Sequence, residues 1–524
     1  MRIMTCLLLV LLVLSAFGKP LATFTVKDHL SHRWTDEVVH FDIDVVITAT
    51  ALTLVDAAGK AVPCQFSHMV RKGKRVTGTV WTVVSLEPGQ SMSLALQPGK
   101  AATTALAWDG QTLTNDRIAV QVSRLPGKLN PPKPLGKLPA PLLSIGRQAG
   151  LRYGAGQWVN LPAELLVREA TTRVVEQGPV RTTIEQRYLL TDGREYRMTV
   201  QLALRQDAAL ITEDGTLHAP GAGFRFDMIA GLGANRVLWH NQWKSSALAK
   251  TWEQVETDVS KFNTEATLCM LRPWSFWWDG DITEWVGCFP QGGADLVGVL
   301  ALRPSRWSPD DWDGFKQTQM TVMGGGGKLS LTCPLIASAK DHEGKERVMP
   351  LHREWALTIG TVADRVDANK VATLRRQLIK YGEFPLDEVK TFTFDYTPSK
   401  QAHRHPFLLF TDAELARSRT QARDLPIAKA ALEPTVNYVL RCLGTRYERE
   451  GWESVYQNVF WGNGLTEKLP EAYMASDNPV LGWGMASAVK GYARDLRVML
   501  LEAPTKPALG AMGPWYTESV TRLL

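Results

Sequence analysis

Cysteine is sparse in this chain and follows no pattern. Of six, Cys6 falls in the N-terminal apolar run, leaving Cys64, Cys269, Cys288, Cys333 and Cys442 scattered over the sequence. An odd set at such spacings excludes a disulfide framework, and the lack of any C-x-x-C pair excludes a cysteine zinc site or a dithiol redox centre. The five read as buried small apolar residues, with Cys269–Cys288 the one bridge considered. Charge of one sign is lacking too: 59 basic against 53 acidic residues leave +6 spread along 524 residues. The nearest thing to a basic cluster, Arg71 to Arg75, reads as a solvated hairpin end, so no nucleic-acid partner is expected. No apolar run after Phe17 approaches the length of a membrane span. Gly324 to Gly327 are followed by Lys328, but Leu329 stands where a phosphate loop needs Ser or Thr, so this is a hairpin loop. Neither a nucleophile elbow nor a serine triad is present. His403 and His405 share a face of an extended segment without a third ligand at useful spacing, and no metal or cofactor is expected.

What is present begins with an export signal. Residues 1–18 combine Arg2, an apolar run from Cys6 to Phe17, and small residues at Ala16 and Gly18 suited to a cleavage site. The mature protein is expected to be secreted or periplasmic, with no membrane attachment after cleavage. Hydrophobic content of 45% and charged content of 21% describe a globular protein, and the length asks for more than one core.

From 19 to 124 the apolar residues recur at period two. Met92, Leu94 and Leu96 form one such set and Ile118, Val120 and Val122 another, which predicts an N-terminal domain of half-buried antiparallel strands. Residues 125–142 hold Pro126, Pro131, Pro132, Pro134, Pro139 and Pro141 without periodicity, and are expected as a stiff linker or a crossover between sheets. Alternation resumes over 143–370. Tyr196, Met198, Val200, Leu202 and Leu204 give the clearest strand, preceded by the hairpin signal Asp192-Gly193. Without a β-α-β rhythm, a large antiparallel β-sandwich is predicted there, and then a linker over 371–404.

Helical spacing takes over in 405–524. Thr411 and Glu414 have the spacing of a capping box, and Pro426 suits a second helix start. Val436, Val439, Leu440 and Leu443 lie at i, i+3, i+4, i+7 before Gly444, and Met485, Val489, Tyr492, Leu496 and Met499 repeat the pattern until Pro504.

The stretch from Pro406 to Leu432, P-F-L-L-F-T-D-A-E-L-A-R-S-R-T-Q-A-R-D-L-P-I-A-K-A-A-L, resembles the segment that opens the (α/α) toroid of heparinase II/III-like and alginate-lyase-like polysaccharide lyases. A large β region ahead of it is similar to the layout of the exo-rhamnogalacturonan lyase family. The resemblance implies a β-then-α multidomain protein with a polysaccharide substrate. A closed toroid needs about ten to twelve helices, whereas the residues after His405 allow about five or six. The chain is therefore expected to be the N-terminal part of a longer protein, its toroid incomplete.

Such a lyase neutralises a uronate carboxylate, removes the neighbouring proton and protonates the leaving oxygen. The resemblance implies Asn, His, Tyr and Arg for these roles, with a proton acceptor titrating near working pH. Candidate catalytic residues are Asn458, Tyr456, Tyr447 and His405. Trp461 and Asn463, in the loop that also holds Asn458, are candidate sugar contacts. Two aromatic knots add others: Trp277, Trp278 and Asp279, and Trp239 with His240. Indole faces stack on sugar rings and carboxylates hold hydroxyls, although the same tryptophans suit the interior of a large sandwich. The expected function is a secreted polysaccharide lyase acting by β-elimination. The alternatives are a glycoside hydrolase or phosphorylase of sandwich-plus-toroid type, which needs two opposed carboxylates, and a noncatalytic carbohydrate-binding protein.

Overall fold

The computed structural model describes residues 20–28, 33–47, 51–100 and 106–230, most strands between 234 and 361, the segment 386–390, and isolated positions as far as 481. Among these residues the chain is overwhelmingly β. Nearly every pairing is antiparallel, the exception being Ala266–Leu271 beside Ile282–Thr283.

Two sheets form the N-terminal unit. One has the order Ala22–Lys27, Ser91–Pro98, Leu52–Val55, Ala61–Val62, and the other Trp34–Val46, Arg75–Leu86, Cys64–Lys72. Their period-two apolar residues close one core of Val26, Val39, Phe41, Ile43, Leu54, Val80, Leu94 and Leu96. The second unit is larger. Its ten-stranded sheet runs Gly127–Pro134, Leu166–Gln177, Arg181–Leu190, Glu195–Ala203, Ala208–Gly215, Leu351–Thr361, Asp295–Ala301, Trp285–Pro290, Ala234–His240, Gln254–Thr257. A six-stranded sheet containing Gly223–Asp227, Lys328–Pro334 and Met320–Gly325 shares its core, as does a five-stranded sheet centred on Ile118–Val122. Tyr188, Met198, Ile211, Val297 and Leu357 of the first meet Phe224, Phe226, Val322 and Leu331 of the second and Val120 and Ile145 of the third. Sheets sharing one apolar filling are consistent with a sandwich.

The expected strand at Tyr196 to Leu202 is present, its even-numbered residues at most 1% exposed. Gly193 takes φ +89° in the turn before it, a conformation open to a residue without Cβ. The 326–327 turn joins Met320–Gly325 to Lys328–Pro334 as the hairpin expected there.

Some boundaries move. Strands Thr112–Thr114 and Ile118–Val122 pack into the second core, so the N-terminal unit ends before the expected limit of 124. Residues 125–142 cross between sheets, one of the two expectations there, but not as a free linker: Gly127–Pro134 is the edge strand of the ten-stranded sheet, between Ile118–Val122 and Leu142–Arg147 of the five-stranded one. Pro131, Pro132 and Pro134 lack the N–H a further strand would need, which suits an edge. Cys64, Cys269, Cys288 and Cys333 are buried thiols without a disulfide, so the Cys269–Cys288 bridge is absent.

Polar contacts join the two units. Glu176 accepts from Ser67 and Gln65 and pairs with Arg181 at 2.6 Å, while the Arg181 guanidinium lies 3.5 Å from the Trp81 ring centroid. Asp36 pairs with Arg117 at 2.5 Å and with Arg205 at 3.7 Å. Within the second unit Asp295 bonds both Arg147 and Tyr153, and burial with that carboxylate pushes the Tyr153 hydroxyl up to about 12.

Most of 371–524 lies outside the described residues, including the expected toroid. Of the positions described there, Arg417, Thr420, Pro426, Ile427 and Val436 are helical, whereas Leu425 is not. A short helix, Leu386–Val389, packs on the N-terminal unit, and Leu386, Ala472 and Leu481 join its core.

Candidate functional site

Nine of the residues singled out from sequence lie outside the described residues: His405, Tyr447, Tyr456, Asn458, Trp461, Asn463, Trp277, Trp278 and Asp279. Trp239 and His240 fall in strand Ala234–His240, where Trp239 stands opposite Val255 and Val286, and His240 opposite Gln254. All four expected catalytic residues thus lie outside what the structure describes. The structure assembles another polar group, on the sheet that contains the strand expected at Tyr196.

Four neighbouring strands carry it: Arg181–Leu190, Glu195–Ala203, Ala208–Gly215 and Leu351–Thr361. Because side chains alternate across a sheet, the apolar set at Ile184, Met198, Ile211 and Trp355 points into the sandwich and its neighbours point outward. Register turns the outward residues into rows. Arg187, Arg197, Asp214 and His352 stand opposite one another. Two residues along come Glu185, Thr199, Thr212 and Glu354, extended by Arg173 on the next strand. A third row, Thr183, Gln201, Leu210 and Ala356, grades from polar to apolar. With strands spaced about 4.8 Å apart, a four-strand row spans roughly 15 Å and successive rows lie about 7 Å apart.

The charges interlock. His352 Nδ1 lies 2.6 Å from Asp214 Oδ1, and its Nε2 lies 3.7 Å from Glu354. These partners, Asp214 first, push the imidazole up to about 9 against the opposing effect of burial. Arg187 donates to Glu195 at 2.7 Å, and Arg197 Nε lies 3.3 Å from the other oxygen of that carboxylate. Arg173 forks onto Glu185 at 2.6 and 3.1 Å. The face is half open: the His352 side chain is 30% exposed and those of Arg187 and Arg197 about 40%.

On the inner side of the same strands, Glu213 and Arg353 are fully buried and joined by two hydrogen bonds, with Tyr196 and Trp355 donating to the same carboxylate. Every strong group in that cluster has a partner, so it reads as a structural tie. Among the described residues no group of three or more His, Cys, Asp or Glu is arranged to hold a metal ion.

The outward rows were missed because Leu351-His352-Arg353-Glu354-Trp355 puts three ionisable residues in succession. Alternation alone cannot tell which of them face solvent. The available signal was Arg197 and Thr199 between the apolar residues of a clear strand.

No protein-family model and no curated protein matches the chain. Among solved structures, a glycosyl hydrolase family 38 protein from Enterococcus faecalis aligns at TM-score 0.42 and 12% identity, over 71% of this chain and 49% of its own. An alpha-mannosidase from Enterococcus faecalis V583 aligns at TM-score 0.40 and 12% identity, over 68% and 46%. A galactose mutarotase related enzyme from Lactobacillus acidophilus aligns at TM-score 0.27 and 9% identity, over 48% and 97%. The chain thus spans about half the length of the two hydrolase structures.

Proposed function

We propose that this chain is an exported, carbohydrate-active protein and that the outer face of its ten-stranded sheet meets the sugar. The observation carrying this reading is the pair of register rows from Arg173 and Arg187 to Glu354 and His352. They form a flat, half-open platform of carboxylates, guanidinium groups and hydroxyls. A polyol offers hydroxyls that donate to carboxylates and accept from Arg or Thr, so such a surface can hold it by hydrogen bonds made stronger by charge.

The platform suits binding better than bond cleavage. Hydrolysis asks for two carboxylates on opposite sides of the scissile bond, and Asp214 and Glu354 both lie against one imidazole. Elimination asks for a free base, and an imidazole titrating at about 9 already holds its proton at neutral pH. Cleavage is assigned to residues after 405, where the resemblance to toroid lyases makes β-elimination on a uronate-containing polysaccharide the first reading. Hydrolysis is the second.

The test is to incubate the full-length protein with pectic, alginate, glycosaminoglycan and neutral polysaccharides, following ultraviolet absorbance of an unsaturated product and release of reducing ends. Absorbance on a uronate polymer supports elimination. Reducing ends without absorbance move the reading to hydrolysis, and neither product with any polymer removes the enzymatic proposal.

A further inference from the structure

Resting on the reading of the outer sheet face as a sugar platform, we infer that its ligand is an uncharged stretch of glycan and not a run of uronates. Four cations stand on the patch, Arg173, Arg187, Arg197 and His352. Four carboxylates meet them, Glu185, Glu195, Asp214 and Glu354. Each cation is already within ion-pair distance of a carboxylate. The arginine fork that recognises a uronate is filled on Arg173 by Glu185, with contacts at 2.6 and 3.1 Å, and Arg187 turns its Nε to Glu195 at 2.7 Å. Glu169 precedes Arg173 by four residues on the same strand face and brings a further negative charge to the margin.

A polyuronate laid on this patch would have to displace built-in carboxylates from their arginines while passing others at close range. Like charges set side by side cost affinity. A neutral sugar meets no such opposition. Its hydroxyls find acceptors on Asp214 and Glu354, and hydroxyl partners on Thr199 and Thr212 beside them, all in two adjacent rows. Because the ligand carries no charge, its binding is nearly indifferent to ionic strength, whereas an ion-paired uronate is released by salt.

Affinity gel electrophoresis of the full-length protein in galactan, mannan and polygalacturonate, repeated over a salt series, tests this. The expected result is retardation by a neutral glycan that changes less than about twofold with salt, weakened about tenfold in Glu354→Gln and in Thr199→Ala/Thr212→Ala. Glu354→Gln preserves shape, and an unchanged far-ultraviolet circular dichroism spectrum certifies its fold. Retardation by polygalacturonate alone, abolished by salt and by Arg187→Ala/Arg197→Ala, overturns the inference and leaves the platform standing. Retardation by neutral glycan that neither variant weakens places the sugar elsewhere and overturns both, as does retardation by no polymer.

Discussion

Glu213 and Arg353, 140 positions apart in sequence, share two hydrogen bonds of 3.0 and 2.7 Å with neither side chain exposed to solvent. Arg353 also donates to the Thr318 carbonyl at 2.8 Å, so the pair ties strands Ala208–Gly215 and Leu351–Thr361 to the segment entering the six-stranded sheet. Removing one partner leaves a charge that interior side chains cannot solvate. Arg353→Met should therefore cost about 3–5 kcal/mol in chemical denaturation. Glu213→Leu/Arg353→Met should recover part of that loss, though it strands the Tyr196 hydroxyl and Trp355 indole N–H that Glu213 now accepts. A double variant no more stable than Arg353→Met would show that the loss is one of shape and not of unpaired charge.

His352 makes stability depend on pH in a stated direction. Its pKa rises from 6.5 to about 9 on folding, so the protonated imidazole stabilises the fold fully below about 6.5, and that contribution is lost as pH climbs through about 9. The melting temperature should fall across this window in the wild type, and Asp214→Asn or His352→Gln should flatten the fall. A variant with an unchanged slope would assign the pH dependence to another group.

Strands were legible where one face is buried and the other is not, because apolar residues then alternate: Tyr196 to Leu202 and Ile118 to Val122 were read this way. Pairing order was not legible. Strand Ala208–Gly215 lies beside Leu351–Thr361, and no local pattern announces a partner that far along the chain. The candidate platform escaped notice for the same reason, since His352 and Asp214 become neighbours only through that register. The prolines of 125–142 pointed to a crossover but hid the strand within it, because proline that rules out a central strand is tolerated at an edge.

Four cysteines among the described residues bear on chemical reactivity. Cys64, Cys269, Cys288 and Cys333 are buried and carry no disulfide, and burial pushes the Cys64, Cys288 and Cys333 thiols up, away from the reactive thiolate. A water-soluble thiol reagent should leave all four unmodified in the native protein and label them after denaturation, as intact-peptide mass mapping can read. A digest made without reductant should contain no disulfide-linked peptide that includes any of the four. Such a peptide would mean that one of them is bridged.

Asp387 supports the last prediction. Strand Trp34–Val46 is the edge of its three-stranded sheet, and an edge strand leaves backbone donors unpaired. Asp387 takes one of them: its Oδ1 accepts from the His40 N–H at 2.6 Å, and its Oδ2 lies 2.6 Å from His40 Nδ1. Lys390, 8% exposed, donates to the same carboxylate at 2.8 Å, and Leu386 beside it is fully buried in the N-terminal core. One carboxylate thus caps a sheet edge, holds a nearly buried ammonium and sets the depth of a core leucine. Asp387→Ala should cost about 1–3 kcal/mol of local stability, and Leu386→Ala about 2–5. Hydrogen exchange reads the difference between local and global loss. In Asp387→Ala the His40 amide should lose protection while amides paired inside the sheet, such as those of Val80 and Thr82, keep theirs. Asp387→Asn, which retains an oxygen for the His40 N–H, should retain much of that protection. Equal loss at all three amides would mean that the short helix holds up the whole N-terminal sandwich and not its edge alone.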